Sequence, residues 1–199
     1  MEYKIKTIET EYNGTKFRSR LEARWALFFE WNKIEYYYEK EGYETPYGFY
    51  VPDFYLPNVC VHREDEKYKL GVMFEVKPEN FELENHKHLG WVCEKLEIAG
   101  IYSIGLPVDE WRNEKGLECL VQNSSTEGND YPMMFLPHCE NCNITKITYP
   151  ESNYLFCPKC KYRYGYDDAY SNMNYRAIKA SRFRFHEFIK DLDPRTGYK

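Results

Sequence analysis

Residues 50–78 read YVPDFYLPNVCVHREDEKYKLGVMFEVKP, and this stretch decides how the chain is organised. Both ends have strand composition: FYVPDFYL is aromatic and β-branched, and LGVMFEV is almost continuously apolar. Strand alternation puts Glu75 and Lys77 on one face and Val76 on the other. Asp53, Glu75 and Lys77 are then expected to converge at the ends of two neighbouring strands. Two carboxylates beside an ammonium are costly to desolvate unless a hard cation sits between them. That is the chemistry of a magnesium site with a water-orienting lysine.

Upstream, FRSRLEARWALFFEWN (17–32) reads as a helix. Ser19 and Glu22 match the S-x-x-E capping box, and Leu21, Trp25, Phe28 and Phe29 recur at helical spacing. On local sequence alone Glu22 caps its own helix. Arg18, Arg20 and Arg24 around it are either phosphate contacts or an ordinary solvated first turn. IEYYYEKEGY (34–43) reads as the first core strand and FYVPDFYLP (49–57) as the second. Pro52 cannot donate to a ladder, which predicts an edge position or a bulge. Residues 61–69 are a charged loop, and their acidic groups read as a solvated turn. After Pro78 a helix is expected within 81–98, with Leu89, Val92, Cys93 and Leu96 as its apolar stripe and Gly100 as its C-cap. IYSIGLPV (101–108) reads as a buried fourth strand.

The order helix, three strands, helix, strand, with Pro52-Asp53, then Glu75-Val76-Lys77, and Glu22 upstream, resembles the PD-(D/E)xK nuclease superfamily over roughly residues 12 to 107. The fold this implies is α/β, a restriction-endonuclease-like αβββαβ core. The resemblance implies that Asp53 and Glu75, with the backbone carbonyl of Val76, hold one Mg²⁺ or Mn²⁺. Lys77 would orient the attacking water, and Glu22 would complete the acidic cluster. It also implies phosphodiester hydrolysis with DNA as substrate; an endonuclease is expected in preference to an exonuclease because no helicase-like or ring-forming element is visible in the sequence. Duplex cutters often act in pairs, so a homodimer fits this reading.

A second constellation is Cys139-x2-Cys142, fourteen residues, then Cys157-x2-Cys160. Tetrahedral zinc needs four converging thiolates, and two C-x-x-C turns joined by a hairpin bring them together. ITKITYPESNYLF between them reads as strand, turn, strand, so the whole is expected to be a zinc ribbon, where metal substitutes for a core too small to form. Cys60, Cys93 and Cys119 read as buried small residues. The expected division is a nuclease-like domain at 1–122, a linker at 123–137, and the ribbon with a basic terminal helix at 138–199.

At 199 residues the chain has room for one good core and a small module. The formal charge of −5 is unevenly spread. Residues 131–199 carry 11 basic and 7 acidic groups, net +4, which leaves 16 basic and 25 acidic, net −9, in residues 1–130. The C-terminal third is therefore the better candidate for holding phosphates. Within it Lys179, Arg182 and Lys190 fall on one face of an amphipathic helix, a nucleic-acid contact or a solvated stripe. The chain has no apolar run long enough to span a bilayer, and its first residues lack the apolar core of a signal peptide. Metal-spaced cysteines suit a reducing compartment, so the cytoplasm of a bacterial or phage-infected cell is expected. Two rival functions stand beside DNA cleavage: a nucleic-acid- or protein-binding scaffold, as in phage–host conflict, and a nuclease acting on RNA or small nucleotides.

Overall fold

The computed structural model describes residues 7–61, 69–78, 87–107, 118–122, 129–132, 134–135, 138–148, 156–163, 180 and 185. The protein is a mixed α/β chain, and its described residues include two helices among many short strands. It begins with a hairpin, β1 (Thr10–Tyr12) and β2 (Thr15–Phe17), turned at Asn13 and Gly14, both at positive φ. Helix α1 (Arg20–Trp31) follows directly. Ser19 caps it by accepting from the Glu22 N–H at 3.1 Å, and Ser19 Oγ donates back to Glu22 Oε1 at 2.8 Å. The Ser19 half of the expected capping box is therefore formed, while the Glu22 carboxylate returns to the Ser19 hydroxyl and the Arg18 N–H in place of the Ser19 N–H.

The main sheet contains β3 (Tyr37–Tyr38), β6 (Phe54–Leu56), β8 (Val72–Lys77), β9 (Ala99–Ile104), β10 (Glu118–Gln122) and β11 (Asn129–Pro132). Their spatial order is β11-β10-β9-β8-β6-β3. β8 pairs antiparallel with β6 and parallel with β9. The parallel step needs a crossover, which contains α2 (Lys87–Leu96). In β8, Val72, Phe74 and Val76 pack with α1, while Met73 joins Leu89, Val92 and Cys93 of α2 on the other side. Alternation then places Glu75 and Lys77 on the α2 side. The α1 side is an aromatic core of Phe17, Trp25, Phe28, Phe29, Phe54 and Phe74. Burying each ring contributes roughly 2 kcal/mol. Trp25 also donates its Nε1–H to the Gly105 carbonyl at 3.0 Å, which ties α1 to the end of β9.

Several expected elements are divided differently. FYVPDFYLP is two strands: Gly48–Tyr50 is β5, which pairs with β4 (Tyr43–Thr45) in a separate hairpin, and only Phe54–Leu56 enters the main sheet. Pro52 therefore precedes β6 and does not interrupt it, and β6 is interior, between β8 and β3. Gly100 is inside β9 and is not a helix cap; Glu97, at φ 54°, turns the chain after α2. A Cβ on Gly100 would stand 2.7 Å from Cys93 Sγ, so the missing side chain lets β9 approach α2.

The stretch 123–137 contains β11 and β12 (Met134–Phe135). β12 pairs with β13 (Thr145–Thr148), which in turn pairs in parallel with β7 (Val59–Val61). Ile147 of β13 is 1 % exposed and belongs to the same core as α1, as does Phe185. The cysteine region thus shares a sheet and a core with the N-terminal part of the chain. No helix among the described residues is long and apolar enough to cross a membrane.

Candidate metal centres

The register of β6 against β8, continued by one residue, sets Asp53 opposite Glu75. The side chains of both are only 5 % exposed. Asp53 Oδ2 accepts from the Val76 N–H at 2.8 Å, and Glu75 Oε2 accepts from the Asp53 N–H at 3.2 Å and from the Tyr50 hydroxyl at 2.7 Å. The remaining oxygens meet cations. Arg18 Nη2 lies 2.6 Å from Asp53 Oδ1, and Lys77 Nζ pairs with Glu75 Oε1. Each acid therefore has one oxygen fixed by uncharged donors and the other covered by a positive group. Two buried carboxylates are tolerable only with such compensation.

Pro52 has a role here that differs from edge or bulge. The Lys77 carbonyl accepts from the Gly105 N–H on the β9 side. Backbone groups alternate sides along a strand, so the Val76 N–H and carbonyl both point toward β6. The N–H is taken by Asp53, and the residue facing the carbonyl is Pro52, which has no N–H to give.

Burial first, and then the charge of Glu75, push the Asp53 carboxyl up to about 8, against the pull of the Val76 N–H. Glu22 adds to this upward push and Lys77 opposes it. For Tyr50, burial and then Glu75 raise the hydroxyl far above its ordinary range, so it stays a donor.

Glu22 is buried, and its two oxygens are engaged locally. Oε1 accepts from Ser19 Oγ at 2.8 Å; Oε2 accepts from the Arg18 backbone N–H at 3.1 Å and from the Tyr38 hydroxyl at 2.5 Å. Capping is the role its geometry displays, with its charge near enough to act on Asp53. Reasoning from sequence missed Tyr50, Tyr38 and Glu39, and left Arg18 without a specific partner. Tyr50 precedes Asp53 by three residues, yet it reaches Glu75 from a different sheet, and no local pattern reports that contact.

The second centre is the cysteine quartet. The sulfurs of Cys139, Cys142, Cys157 and Cys160 all lie within 4.8 Å of one another, with Cys139 and Cys160 3.5 Å apart. That is far beyond a disulfide bond. Four thiolates around zinc at about 2.3 Å stand about 3.8 Å apart, so the spacing fits a tetrahedral ion. The two turns repeat one geometry. Cys139 N–H donates to the Ile144 carbonyl and Cys157 N–H to that of Tyr162, each at 2.8 Å. Asn143 N–H donates back to Cys139 at 2.7 Å, and Lys161 N–H back to Cys157 at 3.0 Å. Asn143 and Lys161, each four residues after the first cysteine, take matching positive φ of 54° and 60°. Burial works against the Cys157 thiolate, but the N–H groups of Cys160 and Lys159 hold its thiol down at about 6. His138 sits aside, with Nδ1 3.2 Å from Thr145 Oγ1.

Among the described residues this quartet is the only set of three or more potential ligands so closely gathered; the acidic site is a pair, Asp53 and Glu75, with Glu22 on its own donors. Lys179, Arg182 and Lys190 lie outside the described residues. No family model, curated protein or solved structure matches the chain.

Proposed function

We propose that the protein is a divalent-metal-dependent nuclease of the PD-(D/E)xK type that hydrolyses phosphodiester bonds, with DNA as substrate. One observation carries the reading: two buried carboxylates on adjacent strand ends each turn one oxygen toward a cation, Arg18 or Lys77. A divalent ion fits that donor set because positive charge is what these oxygens already attract. With the strands outside the main sheet (β4, β5 and β7) set aside, the order α1, β3, β6, β8, α2, β9 supports the same reading, since it matches the αβββαβ order of that superfamily.

Asp53 Oδ1 and Glu75 Oε1 would hold a hard cation such as Mg²⁺ or Mn²⁺, and the Val76 carbonyl, opposite a proline, is the third oxygen. When bound, such an ion supplies an acidified water and charge stabilisation at phosphorus. Tyr50 and the Asp53 N–H keep Glu75 aimed, and the Val76 N–H keeps Asp53 aimed. Lys77, displaced from Glu75, would orient the attacking water with its ammonium. The cysteine turns would hold structural Zn²⁺ and brace β13 against β7.

The test incubates zinc-loaded protein with plasmid, single-stranded DNA and RNA, in Mg²⁺, in Mn²⁺ or with no added divalent cation. Cation-dependent cutting of DNA is expected. Cutting confined to RNA would change the substrate, and binding without cutting would replace the reading with a scaffold.

A further inference from the structure

Arg18 is placed unlike an ordinary surface arginine. Its side chain is 56 % exposed, yet Nη2 lies 2.6 Å from the buried Asp53 Oδ1 and Nε lies 2.6 Å from Glu39 Oε1. Glu39 is held for this purpose by its backbone. Its N–H donates to the Asp53 carbonyl at 2.9 Å, and its φ of 44° is a conformation that residues with a Cβ rarely adopt. Strain of this kind collects where a side chain must be aimed. The guanidinium therefore has a fixed anchor at Nε and a second contact on the oxygen that a metal would need. Residue 18 is held at its backbone as well, where its N–H reaches Glu22 Oε2 and the Tyr38 hydroxyl, and its guanidinium also meets the Tyr38 hydroxyl.

We propose that Arg18 is a phosphate-binding residue of this site. In the metal-free protein it covers Asp53 Oδ1; once that oxygen is taken by a divalent cation, Nη2 passes to a non-bridging phosphate oxygen of the nucleic-acid backbone while Nε stays on Glu39. Planar guanidinium forks suit phosphate oxygens, and an exposed one above a metal site meets the backbone first. The proposal rests on the nuclease reading and extends it to substrate capture. Its consequence is reciprocal coupling: the cation strengthens nucleic-acid binding, and nucleic acid strengthens cation binding.

The experiment uses zinc-loaded wild type, Arg18→Met and Arg18→Lys. Mn²⁺ affinity is measured by calorimetry without nucleic acid. Affinity for a labelled DNA duplex is measured by fluorescence anisotropy with no added divalent cation and in Ca²⁺. Arg18→Met is expected to bind Mn²⁺ about three- to tenfold more tightly, because no ion pair has to be broken. It is also expected to lose the gain in duplex affinity that Ca²⁺ gives wild type. Arg18→Lys, which keeps a positive charge, is expected to restore wild-type Mn²⁺ affinity and part of that gain, a rescue that a packing defect would not show. Unchanged or weaker Mn²⁺ binding by Arg18→Met overturns the proposal, as does a Ca²⁺-dependent gain that survives the substitution. If neither wild type nor variant binds Mn²⁺, the nuclease reading itself falls and takes the proposal with it, an outcome distinct from the other two.

Discussion

The Val76 N–H donates to Asp53 Oδ2 at 2.8 Å, so the strand that presents Glu75 and Lys77 also fixes the carboxylate opposite them. The bond forms because the ladder stops at Pro52: the strand end turns its free N–H to a side chain, and its carbonyl faces a residue that cannot donate. A Pro-Asp pair thus both ends a strand and equips that end for a cation.

Asp53→Asn and Lys77→Ala should each lower DNA cleavage at least about a hundredfold, the scale of losing a ligand or a proton-handling group. Both should keep the far-ultraviolet circular dichroism of wild type, since neither side chain belongs to the hydrophobic clusters. An unchanged rate in either variant would remove that residue from the mechanism.

Tyr50→Phe keeps the ring beside the α2 cluster and removes the 2.7 Å hydrogen bond to Glu75. Groups that orient a ligand are typically worth about ten- to a hundredfold in metal affinity or activity. The substitution should therefore weaken Mn²⁺ binding by about that factor, measured by calorimetry, with little change in Tm.

The raised Asp53 pKa has a definite sign in stability. Its folded value, about 8, lies above the ordinary 3.8, so the native state binds the extra proton. Stability from this group is fully present below 3.8 and is lost as pH rises to about 8. In zinc-loaded protein without added Mg²⁺, Tm should fall across that window; Mg²⁺ should offset the fall at its alkaline end, and Asp53→Asn should flatten it. A metal-free Tm that rises through the same window would contradict the burial argument.

Cys139→Ser or Cys157→Ser should release the zinc, measured by elemental analysis. Because Ile147 and Phe185 lie in the same core as Trp25 and Phe29, loss of zinc should lower the Tm of the main transition, not of a separate one. A core that melts unchanged after chelation would mean that the cysteine module is independent.

What was legible in the sequence was local. The Ser19–Glu22 box and the β8 strand with Glu75 and Lys77 on one face follow from spacings of two to four residues, as do the two cysteine turns. What escaped was set by distant pairing. FYVPDFYLP has continuous strand composition, and only the choice of partner, β4 for one half and β8 for the other, divides it. The parallel pairing of Val59 with Thr145 joins segments far apart in the chain, and neither carries a mark of the other. Arg18 read as one of three arginines on a first turn; its distinction is Glu39, brought to it by the β3–β6 pairing. Gly100 read as a cap because helices often end at glycine, but close packing against Cys93 is what requires it.

The most direct test of the account is the position of a divalent ion. A crystal of zinc-loaded protein soaked in Mn²⁺ would be examined by anomalous diffraction. The account predicts a manganese peak about 2.1 Å from Asp53 Oδ1 and Glu75 Oε1, with Arg18 and Lys77 drawn off those oxygens and zinc held separately by the cysteines. Manganese absent from the carboxylate pair, with both cations still in place, would contradict it.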